Sequence, residues 1–507
     1  MNKDALLLLD TSKGQRLSHL TRRHFLQLAG VGTGTVLLSS CGFGTAVTPT
    51  HPPLPTFPRA ASTGRVTEYT LEAAPTTLTL GGKKVSTWAY NGALPGPLLR
   101  LTEGDTLKVT VKNRLPSGQG TSIHWHGVPL NNPMDGVPGA TQQPIASGQD
   151  FVYTFAAPTA GTFFYHSHVG LQLDRGLYGP LIVDPAHEPM SYDQDFVLVL
   201  DDWLDGLPGT PDDAMQKLIA NGDRMGGMGG SGGMGGMSST SVPPDILYPL
   251  YLINGRSSDH PTQLNVKQGD KVRLRFVNAS ASTIYHIALQ GHRMTVTHTD
   301  GQPVDPVEVD ALRIGMGERY DVLVTANNLG VWQVAAKVEG AEGMVRAILS
   351  YKGSVATAPS ATYQPAELTR QMLSYAMLKA APGLVVPPAY TPDLSLPIQL
   401  TGGNGQYVWK MNNEIFSKAQ QIAVPKNSLI RFPMQNMSMM PHPMHLHGHF
   451  FQLDNGTGRG PLKDTVLVDA MQSLTVNWIS DNPGTWAYHC HNAYHQESGM
   501  MRFVKVS

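Results

Sequence analysis

An all-β chain built from three copies of one sandwich unit is the fold class that the sequence predicts. Three observations carry it. Glycine (53) and proline (38) are abundant while charged residues make up only 15%, which suits many short strands joined by turns. A segment alternating polar and apolar residues recurs at 104–113, 269–278 and 427–436, each copy reading as a half-buried strand. The copies are roughly 160 residues apart, too long for a solenoid repeat and right for whole domains.

Each copy has an asparagine turn upstream: Asn91-Gly92, Asn254-Gly255 and Asn412-Asn413. Each has a histidine shortly downstream: His124, His286 and His442. The 507 residues allow roughly three domains at ~150 residues each. The expected boundaries are 61–190, 191–355 and 356–507, behind an N-terminal segment of 1–60. That segment carries Thr21-Arg22-Arg23-His24-Phe25-Leu26, which resembles a twin-arginine export signal, and then an apolar stretch over 28–38. The stretch is too short to span a membrane. Leu38-Ser39-Ser40-Cys41 resembles a lipoprotein cleavage box, with Cys41 as the lipidated residue. The expected location is the periplasm or cell envelope, with a lipid anchor at Cys41 or a plain cleaved signal.

The second expected domain is interrupted at 222–240 by a glycine/methionine tract that includes Met225, Met228, Met234 and Met237. Glycine removes core-forming surface, so the tract reads as a surface loop. It is either an insertion without a task or a thioether trap for Cu(I), the ion that soft sulfur ligands select. The formal net charge of −1 and the lack of a basic stripe argue against nucleic acid as a partner. A monomer is expected. With only two cysteines, no structural disulfide is expected.

The chemistry lies in four clusters. His489-Cys490-His491 is followed by His495 and Met500. Thiolate, imidazole and a weak thioether are the ligand types of a type 1 copper. On a strand, residues i and i+2 share one face, so Cys490 can serve one metal while His489 and His491 serve others behind it. His124-Trp125-His126-Gly127 and His166-Ser167-His168 are two more alternating pairs. His442-Pro443-Met444-His445-Leu446-His447 adds a spaced histidine and a further pair. One such pair is weak evidence. Four clusters holding ten of the nineteen histidines are not an ordinary polar strand face.

These motifs resemble the ligand pattern of three-domain multicopper oxidases of the bacterial laccase and copper-resistance type, with similarity from about Val66 to the C-terminus. The resemblance implies three consecutive cupredoxin-like Greek-key β-sandwich domains and four coppers. His442, Cys490 and His495, with Met500 axial, would bind the type 1 copper. His124 and His445 would bind the type 2 copper. His126, His166 and His491 would bind one type 3 copper, and His168, His447 and His489 the other. Domains one and three would close on each other, the second serving as a spacer; its His286, His292 and His298 read as ordinary histidines. The implied activity is four one-electron oxidations of a reducing substrate, phenols or Cu(I), coupled to reduction of O2 to water.

Asp135 matches the family's acidic position after the first motif and is expected to relay protons, though Asp-Gly is also a turn signal. Where many bacterial relatives carry a glutamate after the last type 1 histidine, this chain has Gln496, with Glu497 next to it. The segment Lys463-Asp464-Thr465-Val466 also resembles the family but receives no role. Met437, Met439, Met440 and Met444 around His442 are expected to pack against the type 1 site, Met being a filler of irregular gaps, with a role in copper entry as the alternative. Two other function classes stay open. A two-domain nitrite reductase lacks a type 3 pair. A periplasmic copper-binding or copper-tolerance protein with little phenol oxidase activity explains the methionine tract but not the full ligand set.

Overall fold

The computed structural model describes residues 53–55, 59–222, 243–387, 390–403 and 405–507. The twin-arginine motif, Cys41 and Met225, Met228, Met234 and Met237 lie outside the described residues.

Each sequence repeat becomes an inner strand of a sheet, with the same wiring three times. Thr106–Asn113, Lys271–Asn278 and Leu429–Asn436 pair in parallel with the strands Val66–Leu80, Gln194–Trp203 and Ile398–Gly402. On their other side they pair antiparallel with Asp150–Ala156, Arg319–Thr325 and Ser473–Ile479. A second sheet faces each of these, giving three consecutive cupredoxin-like sandwiches.

The repeat extends to single side chains. Asn91, Asn254 and Asn412 adopt φ of 52°, 53° and 53°, a left-handed turn conformation that asparagine tolerates. Their Oδ1 atoms accept from the N–H of Glu72, Val199 and Gln399 at 2.6, 2.8 and 2.6 Å. Their Nδ2 atoms donate to Thr70, Val197 and Pro397 at 3.0, 2.9 and 3.2 Å. The residue that ends each repeat strand is also an asparagine, buried in every copy: Asn113, Asn278 and Asn436. Each donates from Nδ2 to carbonyls of two separate segments, at a loop or a strand end, and accepts at Oδ1 from the N–H two residues on. A buried amide satisfied on both atoms ties these segments at one end of the sandwich to its central strand.

The buried apolar residues of the first and third sandwiches, from Leu71 to Val506, form one continuous cluster. The middle sandwich has its own, which includes Leu274, Phe276 and Val322. The first and third units therefore close on each other. The four motifs lie where they meet: on the strands His124–His126 and Gly161–His166 of the first unit, and His442–Leu446 and Gly484–Cys490 of the third.

Candidate metal centre

Strand alternation sorts the expected ligands of the third sandwich onto two faces. Met444 stands opposite Cys490 and His445 opposite His489. One face carries His442 and Cys490, the other His445 and His489. The strand ends at Cys490, so His491 is the first residue of the following bend. Asn492 then caps the short helix Ala493–Glu497, accepting from Tyr494 and His495 N–H, and that turn brings His495 back over Cys490.

On the first face, His442 Nδ1 and His495 Nδ1 are 3.0 Å apart, and each is 3.6 Å from Cys490 Sγ. All three side chains are fully buried. The far ring nitrogens are engaged: His442 Nε2 lies 2.8 Å from Ser438 Oγ, and His495 Nε2 lies 2.6 Å from Asp245 Oδ2. A carboxylate only accepts, so His495 carries its proton on Nε2 and points a bare Nδ1 at the thiol. Burial pushes the Cys490 thiol well above its usual range, so as a thiolate it needs a cation beside it. Met500, also buried, closes this site through the main chain: its N–H donates to His495 O and its carbonyl accepts from Cys490 N–H, both at 3.0 Å.

On the second face, eight histidines from the first and third sandwiches converge. His124 Nε2 and His445 Nε2 are 3.4 Å apart. His489 Nε2 is 3.0 Å from His447 Nε2 and 3.4 Å from His168 Nε2. The His491 ring centroid lies 4.8 Å from that of His126 and 5.2 Å from that of His166. Their oxygen partners fix several tautomers. Nδ1 of His124, His166, His445 and His489 faces a main-chain carbonyl at 2.9–3.1 Å, and Nδ1 of His447 faces Asp135 Oδ2 at 2.9 Å. Those nitrogens must donate, which leaves Nε2 lone pairs pointing at one another. His126 is reversed: its Nε2 lies 3.1 Å from Asp464 Oδ1, and its Nδ1 has no partner. His166 Nε2 and both nitrogens of His491 are also buried without a partner. Burial first, and then neighbouring imidazoles, hold His126, His166, His168, His447, His489 and His491 well below the usual histidine range. Buried neutral imidazoles with facing lone pairs and orphaned nitrogens repel unless cations sit between them, so the donor set fits bound metal.

This geometry agrees with comparisons with known proteins. Models of the multicopper oxidase family match residues 72–188, 195–354 and 389–507. The chain belongs to the multicopper oxidase family. It is 43% identical to multicopper oxidase MmcO of Mycobacterium tuberculosis, over 86% of either chain. It is 30% identical to copper resistance protein A of Escherichia coli, over 87% of this chain and 92% of that one. Among solved structures it resembles the laccase of Botrytis aclada, with a TM-score of 0.73 and 26% identity over 88% of each chain. The oxidase therefore uses four coppers to couple one-electron oxidations of a reducing substrate to the reduction of O2.

The acidic neighbours of the cage differ from expectation in detail. Asp135 is buried and holds two rings through different atoms: its Oδ2 accepts from His447 Nδ1 at 2.9 Å, and its main-chain carbonyl accepts from His124 Nδ1 at 3.1 Å. It thus orients ligands as well as lying within proton reach of them. Asp464, which carries no expected role, holds His126 through Oδ1 and His445 through its carbonyl. Burial alone would raise its carboxyl, but the Arg319 guanidinium and then His445 hold it well below the usual range. Gln496 is half-buried and Glu497 exposed, and they are in contact with each other.

Other expectations also meet the structure. His286, His292 and His298 bond Glu339, Tyr351 and Thr297 respectively, away from the cage. Of the four methionines around His442, Met444 is fully buried, whereas Met437 and Met439 are 51% and 60% exposed. Packing explains Met444 but not Met437 and Met439. The middle sandwich is not merely a spacer, because its Arg319 reaches Asp464.

Proposed function

We propose that the oxidase takes Cu(I) as its physiological reductant and serves copper tolerance, with His442, Cys490, His495 and axial Met500 holding the type 1 copper. His124 and His445 hold the type 2 copper. His126, His166 and His491 hold one type 3 copper, and His168, His447 and His489 the other. When bound, copper supplies one-electron redox chemistry on the Cys490 side and O2 reduction on the histidine side.

The residues of the chain do the rest. Cys490 is bonded through the main chain to both His489 and His491, so thiolate and imidazoles on opposite faces are a few covalent bonds apart. Asp135, against His124 and His447, is the carboxylate best placed to pass protons into the cage. The fully buried pair Asp464–Arg319 keeps its charge and serves to fix geometry.

The observation that carries the Cu(I) reading is the cover on His495. Its outer Nε2 is closed by the Asp245 carboxylate, which also accepts from Tyr407 OH at 3.0 Å. Trp409 lies against the same ring, with centroids 4.1 Å apart. An anionic cover favours a cation over a neutral phenol. The methionine content supports this. Met437 and Met439 are exposed beside His442, and the described residues on either side of the tract meet the same region. Asp245 bonds His495, and Gly222 packs on Gly405. Thioethers prefer Cu(I). The similarity to copper resistance protein A points the same way.

Export by a twin-arginine route, with or without a lipid on Cys41, completes the proposal, because a metal centre assembled from distant parts of the chain suits a route that carries folded proteins. The test is to delete 225–237, confirm full copper loading, and follow oxygen uptake with Cu(I) and with a phenol in parallel. A selective loss with Cu(I) is expected. Unchanged Cu(I) kinetics would remove the tract from the reaction.

A further inference from the structure

A buried ion pair stands directly behind the cage, and one of its members comes from the middle sandwich. Arg319 donates from Nη1 to Asp464 Oδ1 at 2.7 Å and from Nη2 to Oδ2 at 2.6 Å. Both side chains are fully buried. Arg319 Nε donates to Thr162 O of the first sandwich at 3.0 Å, so all three units meet at one guanidinium. The pair rests on Gly127, next to His126. A Cβ there would overlap Arg319 Nη2 and lie 2.5 Å from Asp464 Oδ2, and the backbone has φ +85°.

Two residues before Arg319, Gly317 touches the cage itself. A Cβ at Gly317 would come within 3.0 Å of His126 Cε1 and of His491 Cγ and Cδ2. This turn is anchored at the end of the repeat strand: Gly317 N–H donates to Asn278 O at 2.9 Å, and Asn278 N–H donates to Glu318 O at 3.1 Å. The contacts are therefore set by the core of the middle sandwich.

We propose that the Gly317–Arg319 turn of the middle sandwich is a positioning element of the three-copper site, acting on His126 and His491. It rests on the ligand assignment proposed above. A carboxylate with one partner can turn about its Cβ–Cγ bond. A planar guanidinium bonded to both oxygens holds it. Fixed in this way, Asp464 Oδ1 faces His126 Nε2 and obliges that nitrogen to carry the proton, which leaves Nδ1 as the only lone pair His126 can offer. Five other cage histidines have the opposite tautomer, so this reversal needs a dedicated partner. Gly317 then leaves the space that the His126 and His491 rings occupy. Arg319 acts through Asp464 and is a positioning residue, not a catalytic one.

The experiment uses the copper-loaded full chain and reads copper per chain, the blue band and the paramagnetic resonance of the remaining coppers. Arg319→Lys keeps the charge and loses the fork. Gly317→Ala changes no charge and decides the matter if the arginine variant fails to fold. Arg459→Met is the control, because it breaks another ion pair between the same two sandwiches, Arg459–Asp305, which lies nearer the surface. The expected result is that Arg319→Lys and Gly317→Ala keep the blue band but hold one type 3 copper roughly 10–100-fold more weakly, the range for partners behind metal ligands. The formerly silent pair then appears as a paramagnetic signal, and Arg459→Met matches the wild type. Wild-type copper content and spectra in both site variants would overturn the proposal, as would the same loss in Arg459→Met. Absence of a silent pair from the wild type would instead bring down the ligand assignment, and this inference with it.

Discussion

At the residue scale, the cysteine and histidines that converge in the two buried clusters were legible because their chemistry is written in side-chain type and local spacing. Cys490, His491 and His495 need no tertiary information to be suspected, and alternation on a strand already divides Cys490 from His489. The partners that orient the ligands were not legible. Asp464 matters through Arg319, 145 residues away in sequence, and Asp245 bonds His495 across 250 residues. Neither pairing leaves a local pattern. Asp135 lies between these cases: its type and place marked it, but its bridge between His124 and His447 required the fold. Replacing it tests the side-chain half of that bridge. Asp135→Asn keeps the shape and the main-chain carbonyl that holds His124 but removes the carboxylate from His447, so steady-state oxygen uptake is expected to fall about 10–100-fold, the usual cost of removing a partner behind a metal ligand. Anaerobic bleaching of the blue band by the reductant should stay near the wild-type rate. An equal fall in both rates would mean that the substitution acts on the fold or on copper loading in general.

At the scale of the elements, the threefold repeat was legible as three alternating strands, and the structure extends it to the asparagines that brace them. The third copy is the weakest in sequence because Leu429 and Pro433 stand at positions that are polar in the other two copies, yet its strand has the same length of eight residues, Leu429–Asn436. Hydrogen bonds to the main chain do not depend on side-chain pattern, so pairing survives there. The brace at Asn254 has a definite energetic meaning. Its left-handed φ of 53° and its two bonds to the first strand of the middle sandwich act together. Asn254→Ala should lower stability by about 2–3 kcal/mol, combining roughly 1 kcal/mol of backbone strain with two lost hydrogen bonds. Asn254→Gly relieves the strain and should cost about half as much. The midpoint of the first transition in denaturant is the measure, because a chain of several sandwiches need not unfold in one step. Equal costs for the two variants would show that strain plays no part.

At the scale of the whole molecule, metal binding and tertiary structure are one event. The first sandwich supplies four of the eight cage histidines, the third supplies the other four, and the middle sandwich supplies Arg319 behind them. The sequence indicated the closure of the first and third units but not the part taken by the middle one, which has no ligand motif of its own. A cage assembled in this way cannot hold its full metal set in any one sandwich, and this separates it from a two-domain reductase and from a simple copper-binding protein. The most direct test is copper per chain, combined with paramagnetic resonance and colour, in the wild type and in Cys490→Ser. Four coppers per wild-type chain are expected, half of them silent as a coupled pair. Cys490→Ser should lose the blue colour and the oxidase activity while keeping copper in the histidine cage. Two copper ions per chain, both visible, or a blue and active Cys490→Ser protein, would contradict it.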